Sequence, residues 1–148
     1  MALKLTSPIY ESFTLDKSDE KYGAETSTTV TVRQARQHEH ARRENLWSVI
    51  EQKVSQIDAN ELTYVQRFSM AELARLETYL CLCSCDIESE DGTPLFPSKK
   101  GDQDRPKLDM TEQQFNQAWG LLLPDIAKEI HEKILAVNPQ WRGKEGEG

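Results

Sequence analysis

The fold turns on DMTEQQFNQAWGLLLPDIAKEIHEKILAVNPQW, residues 109–141. Thr111 and Gln114 stand at capping-box spacing, where hydroxyl and amide each satisfy a helix end that would otherwise lack a partner. Phe115, Trp119 and Leu122 then recur at helical spacing and line one face. Pro124 interrupts this stripe where proline is best tolerated, in the first turn of a new helix. Ile126, Ile130, Ile134 and Val137 form the stripe of that second helix, and Asn138-Pro139 stops it. The stretch predicts a helical hairpin or bent helix over about 112–122 and 125–137, with Trp141 beyond its end. It is a packing module without a reactive group.

Upstream, the same spacing rules predict two more helices. Leu46, Val49, Ile50, Val54 and Ile57 hold one face of a helix running from about Val32 to Ile57. ETSTTVTV (25–32) alternates β-branched residues and reads as a short strand, while Thr31 and Gln34 offer a competing helix start. A short extended segment feeding a helix near Val32 accommodates both. Asp58-Ala59-Asn60 makes a turn, and LTYVQRF (62–68) reads as strand or helical lead-in. Ser69 with Glu72 gives a third capping box, and Met70, Leu73, Leu76 and Leu80 carry a helix over about 70–84.

The expected fold class is therefore mainly α, a small helical domain of about four helices with a short N-terminal extended segment. Residues 1–31 form a mixed N-terminal segment, 32–141 the helical domain, and 142–148 a disordered tail. Residues 86–108 hold Asp91-Gly92, Pro94, Pro97, Gly101 and Pro106. That exceeds an ordinary connection, so a functional or mobile loop is expected there.

Bulk properties narrow the function. A chain of 148 residues fits one domain, and a net charge of −7 opposes general binding to phosphate backbones. No apolar run approaches a membrane span, and MALKLTSPIYESF lacks the continuous apolar region of a secretory signal. Three cysteines, an odd number, fit a reducing compartment better than a disulfide framework, so the cytoplasm is expected. A mean hydropathy of −0.68 implies a modest core, with part of the chain solvated or committed to a partner.

Candidate chemistry is sparse. Cys81, Cys83 and Cys85 invite a metal or redox reading, but zinc sites use two separated ligand pairs and no second cysteine pair exists. On a helix Cys81 and Cys85 would share a face and Cys83 would point away. Three free, buried thiols are the plainer expectation. His38 and His40 lie two apart and His131 stands alone, so exposed polar roles are expected for all three. No phosphate loop or nucleophile motif is present. The chain reads as non-enzymatic, with no catalytic residue, no cofactor and no metal.

The basic half-helix RQARQHEHARRE is the remaining signal. Its arginines are either solvated or laid against a partner. A partner surface would join Arg36, Arg42 and Arg43 to the aromatic edge of Trp47 and Trp141, because arginine and tryptophan are the usual anchors of interfaces. In the order of its elements the chain resembles the small tail assembly chaperones of tailed bacteriophages. The residues carrying this are TVTVRQARQHEHARRENLW, an extended entry with an arginine-bearing helix start, and FNQAWGLLLPDIAKEIHEKILAVNPQW, a helical stretch closing on Asn-Pro and an aromatic. The resemblance implies a cytoplasmic assembly factor, in the host cytoplasm if phage-encoded. Such a factor holds a helical tape-measure protein soluble and helps tail-tube subunits gather on it. It would bind protein, not nucleic acid or membrane. The alternatives are a small helical adaptor or structural protein, and a metal or redox protein built on the cysteine cluster. The sequence leaves the oligomeric state open.

Overall fold

The structure, a computed structural model, describes residues 2–56 and 59–142; the side chains at 59–65, 67 and 68 lie outside that description. The expected end of the first long helix at Ile57, the turn at Asp58 and the tail from 143 onward therefore fall outside the described residues. The described chain runs β1 (Tyr10–Thr14), α1 (Asp16–Tyr22), β2 (Thr29–Arg33), α2 (Gln37–Ser55), α3 (Ala59–Cys81) and β3 (Leu82–Cys85). It continues with β4 (Ser98–Lys100), β5 (Pro106–Leu108), α4 (Glu112–Gly120) and α5 (Pro124–Val137), closing on a 3₁₀ turn over Pro139–Trp141. The protein is helix-rich, with five α-helices among the described residues and two small antiparallel sheets.

The C-terminal pair of helices forms as its spacing predicts. Thr111 Oγ1 accepts the Gln114 N–H at 3.2 Å, and the Gln114 side chain accepts the Thr111 N–H at 2.8 Å. Pro124 opens α5, and Phe115, Ile130, Ile134 and Val137 point into the core.

Three expectations are corrected. The first helix starts at Gln37, because Val30 and Val32 belong to β2, the middle strand of an antiparallel sheet ordered β1-β2-β3. Both valines are fully buried there, so the pairing with strands distant in sequence overrides the Thr31–Gln34 helix start. In its place Glu39 Oε1 accepts the Arg36 N–H at 2.9 Å and closes the start of α2. Second, α3 begins at Ala59, so Ala59-Asn60 of the expected turn are its first residues, LTYVQRF takes the helical of its two readings, and Ser69 lies inside the helix, not at its cap. Third, the expected helix end at Ser84 is strand. Leu82–Cys85 leaves α3 and pairs with β2, with Val30 opposite Cys85, Thr31 opposite Ser84 and Val32 opposite Leu82. Cys83 is the extra residue of a bulge, which lets Leu82 and Cys85 both face the buried valines.

Segments expected to be irregular are also ordered. Residues 86–108 contain the β4–β5 hairpin, with Ser98 opposite Leu108, and they contribute Phe96 to the core at 1% exposure. Within the N-terminal segment, Leu15 and Val30 join the same core as the C-terminal helices. The polar run from Asp16 forms α1, whose start is capped from afar. Glu129 of α5 accepts the Ser18 N–H at 2.9 Å, the Ser18 hydroxyl at 2.7 Å and the Lys17 N–H at 3.2 Å. Gly23 ends α1 in the left-handed region, at φ 67°.

Asn138 shows why the chain closes where it does. It is fully buried. Its Oδ1 accepts the Ala35 N–H at 2.8 Å, while its Nδ2 donates to the carbonyls of Ile134 (3.1 Å) and Arg33 (3.2 Å). One side chain thus satisfies the last turn of α5 and the backbone between β2 and α2. Asn138→Ala leaves these buried groups without partners. It is expected to cost about 2–4 kcal/mol in urea unfolding with an unchanged m-value. A loss under about 0.5 kcal/mol would contradict this role.

Candidate partner-binding site

Of the five residues of the expected partner surface, three lie on helix α2, which sorts them onto different faces. Arg43 and Trp47 are four apart and share one face, while Arg42 lies about a quarter-turn away. Trp141 meets the first pair from the chain end: the Arg43 guanidinium lies 5.7 Å from the Trp47 ring and 5.9 Å from the Trp141 ring. Arg42 faces α4 instead, donating to Glu112 Oε2 at 2.6 Å, with Tyr79 at 6.0 Å from its guanidinium. Arg36 is exposed ahead of α2. The structure therefore gathers Arg43, Trp47 and Trp141 and leaves Arg36 and Arg42 apart. Arg43 and Trp141 are themselves buried, at 7% and 2% exposure, so they shape the surface from below.

Beneath this edge lies a polar network that single-sequence spacing does not show. Glu77 of α3 is 2% exposed and uses both carboxylate oxygens. Arg43 Nε donates to Oε2 at 2.8 Å, and His131 Nε2 of α5 meets Oε1 at 2.6 Å. Arg43 also donates to Glu44 at 2.8 Å and to the Trp141 carbonyl at 3.3 Å. Burial alone would make this guanidinium easier to deprotonate, but the two carboxylates outweigh it and raise its pKa. The Trp141 indole donates to His40 Nδ1 at 2.9 Å. His131 and His40 are thus half-buried and engaged, contrary to the exposed roles expected for them, whereas His38 is exposed.

Among the described residues His131 hydrogen-bonds to Glu77 and to no Ser, Thr or Cys side chain. The three thiols are all buried, and burial pushes Cys81 and Cys85 up to about 12 and Cys83 to about 11, which keeps them protonated. Among the described residues no three His, Cys, Asp or Glu side chains are grouped to hold a metal ion. No helix of the described residues is long and apolar enough to cross a membrane.

Two clefts adjoin the network and share one residue, Met70; the first is mainly apolar, and the second has Glu77 and His131 of the network in its wall. The first, about 520 Å³, lies between α2 and α3 and is walled by Trp47, Ile50, Val54 and Met70, with Glu51 and Gln66 at its rim. The second, about 550 Å³, lies between α3 and α5. Its walls include Met70, Leu73, Leu135 and Trp141, with Lys133 and Arg142 among its charged residues. Met70, half-buried, is the ridge between them. Helical spacing marks Met70 in the sequence, but only the packing of three helices shows that its stripe is left partly uncovered.

A second buried pair fixes where α2 begins. The Arg33 guanidinium grips both oxygens of Glu39, and Arg33 also donates to the Leu80 carbonyl at 3.0 Å. Burial by itself would raise the Glu39 pKa. The bonds from Arg33 and the Arg36 N–H together outweigh it and hold the carboxyl below its ordinary range. A depressed carboxyl stabilises the fold above its unfolded pKa of about 4.3, and that contribution disappears as pH falls through the folded value. Stability is expected to fall with acid below about pH 4.3, and Glu39→Gln, though less stable at neutral pH, should lose less between about pH 4.5 and 2.5. Equal acid sensitivity of the two proteins would refute the assignment.

No family model matches the chain, no curated protein matches it in sequence, and no solved structure matches it in fold.

Proposed function

We propose that this protein is a non-enzymatic protein-binding module whose client is an amphipathic helix. The observation that carries the reading is the pair of clefts meeting at Met70. A helix laid in a groove places apolar anchors three to four residues apart into successive depressions, and two clefts separated by one methionine suit that spacing. Methionine adapts to varied apolar partners, and the charged rims formed by Glu51, Glu132, Lys133 and Arg142 would orient a client of mixed charge. The net charge of −7 would keep such a binder dispersed while unoccupied.

Within this class we propose the tail assembly chaperone of a tailed bacteriophage, acting in the host cytoplasm on a tape-measure-type helical client. The support is the resemblance of the two stretches quoted above, together with the cleft chemistry. A host or phage adaptor would use the same clefts on a different client. The metal or redox alternative has no support from the thiols, which are buried and held protonated.

The informative variant is Met70→Glu, because a half-exposed ridge residue can take a charge without disturbing the core. Replacing Arg43 is uninformative about binding: it strips the buried Glu77 of its counter-charge, and breaking such a pair costs about 3–5 kcal/mol. With a synthetic tape-measure helix as ligand, Met70→Glu should weaken binding at least about tenfold while leaving thermal stability nearly unchanged. Arg42→Glu, remote from the clefts, should bind normally. Undiminished binding by Met70→Glu would reject the cleft as the site. Failure of tape-measure helices alongside binding of other amphipathic helices would favour the adaptor.

A further inference from the structure

The stretch before β1 is the least settled apolar part of the described chain. Residues 2–9 are neither helix nor strand, and Leu3, Leu5 and Ile9 are 100%, 95% and 54% exposed. Leu3 and Leu5 are two apart, so an extended chain presents both on one side. The arm is tethered at its far end: the Ile9 N–H donates to Gln34 Oε1 at 3.0 Å, and the Gln34 N–H donates to the Ile9 carbonyl at 2.9 Å. Ser7 adds a bond to Gln103 at 3.3 Å. Residues 2–6, ahead of these anchors, can span about 17 Å.

We propose that this arm docks in the α2–α3 cleft of a second copy of the chain, so that two copies exchange arms. Three observations select that occupant. The cleft is walled by Trp47, Ile50, Val54 and Met70, which matches a segment offering two leucines on one side. Charge is complementary: Lys4 is the only charged side chain in residues 1–9, while the chain carries −7 and the cleft rim holds Glu51. Finally, the two leucines ahead of the tether are not covered by their own chain, since Leu3 and Leu5 are open to solvent. Reciprocal exchange of one short element gives a closed two-fold pair. It covers the α2–α3 cleft in each copy and releases it when the arm is displaced. The proposal concerns the same cleft as the client reading but does not require a client.

The test uses the full chain in sedimentation velocity from low micromolar to several hundred micromolar. A reversible monomer–dimer equilibrium is expected. Leu3→Ser with Leu5→Ser, which alters only exposed side chains, should weaken it at least about tenfold, as should Val54→Glu on the cleft wall. A peptide of residues 2–9 added to the double-serine variant should shift the tryptophan emission to the blue and saturate, and should not do so when Trp47 is replaced by Phe. The proposal is overturned by a monomer at every concentration, by a dimer indifferent to the arm, or by an arm-dependent emission change without a change in mass, which would place the arm on its own chain. A strict monomer that still binds a tape-measure helix would overturn the exchange and leave the client reading standing. A dimer that binds no helix would do the reverse.

Discussion

One buried guanidinium holds the helical layers together. Arg43 leaves α2, binds the Glu77 carboxylate of α3, touches two tryptophan rings and donates to the backbone at Trp141. Glu77 in turn reaches α5 through His131. A carboxylate at 2% exposure is costly without a cation, so the packing that brings Arg43 to it is favoured over one that leaves it unpaired. The packing leaves a consequence on the surface. Polar groups occupy the centre of the α2–α3–α5 junction; the α2–α3 cleft opens beside them, and the α3–α5 cleft has Glu77 and His131 in its own wall.

The second buried pair does the corresponding work at the sheet. Arg33 ends β2, Glu39 lies in the first turn of α2, and Asn138 receives the backbone between them. Strand, helix start and chain end are therefore fixed by side chains that also satisfy each other. The N-terminal arm is tethered beside this point through Gln34, so the same junction that orders β2 also sets where the arm departs.

The parts of the fold legible in the sequence are those governed by local rules. Thr111, Gln114 and Pro124 mark helix ends through bonds or restrictions within a few residues, and the structure places them as read. The misreadings have long-range causes. Thr31 and Gln34 look like a helix start, but β1 and β3 claim Val30 and Val32 for a sheet. The stripe of Leu73, Leu76 and Leu80 runs on toward Cys85 in a helical reading, yet β2, some fifty residues upstream, converts Leu82–Cys85 to strand. Glu77 and His131 look like ordinary surface residues because their partner is 54 positions away. Of the expected partner surface, the meeting of Arg43 with Trp47 and Trp141 was legible. The burial of Arg43 was not, since a basic run does not state what it packs against. Met70 could have been found by asking which residue of the α3 stripe lacks an opposing stripe.

The central claim, that Met70 is the ridge across which a helical client lies, is open to direct observation. The chain has three methionines, Met1, Met70 and Met110. Methyl-labelled methionine gives each a separate nuclear magnetic resonance signal, and Met110 lines a different pocket, with Arg33 and Cys83, and neither of the two clefts. On titration with a tape-measure-type amphipathic helix, the Met70 methyl should shift saturably while Met110 stays fixed. A shift confined to Met110, or saturating binding that leaves Met70 unmoved, would contradict the account.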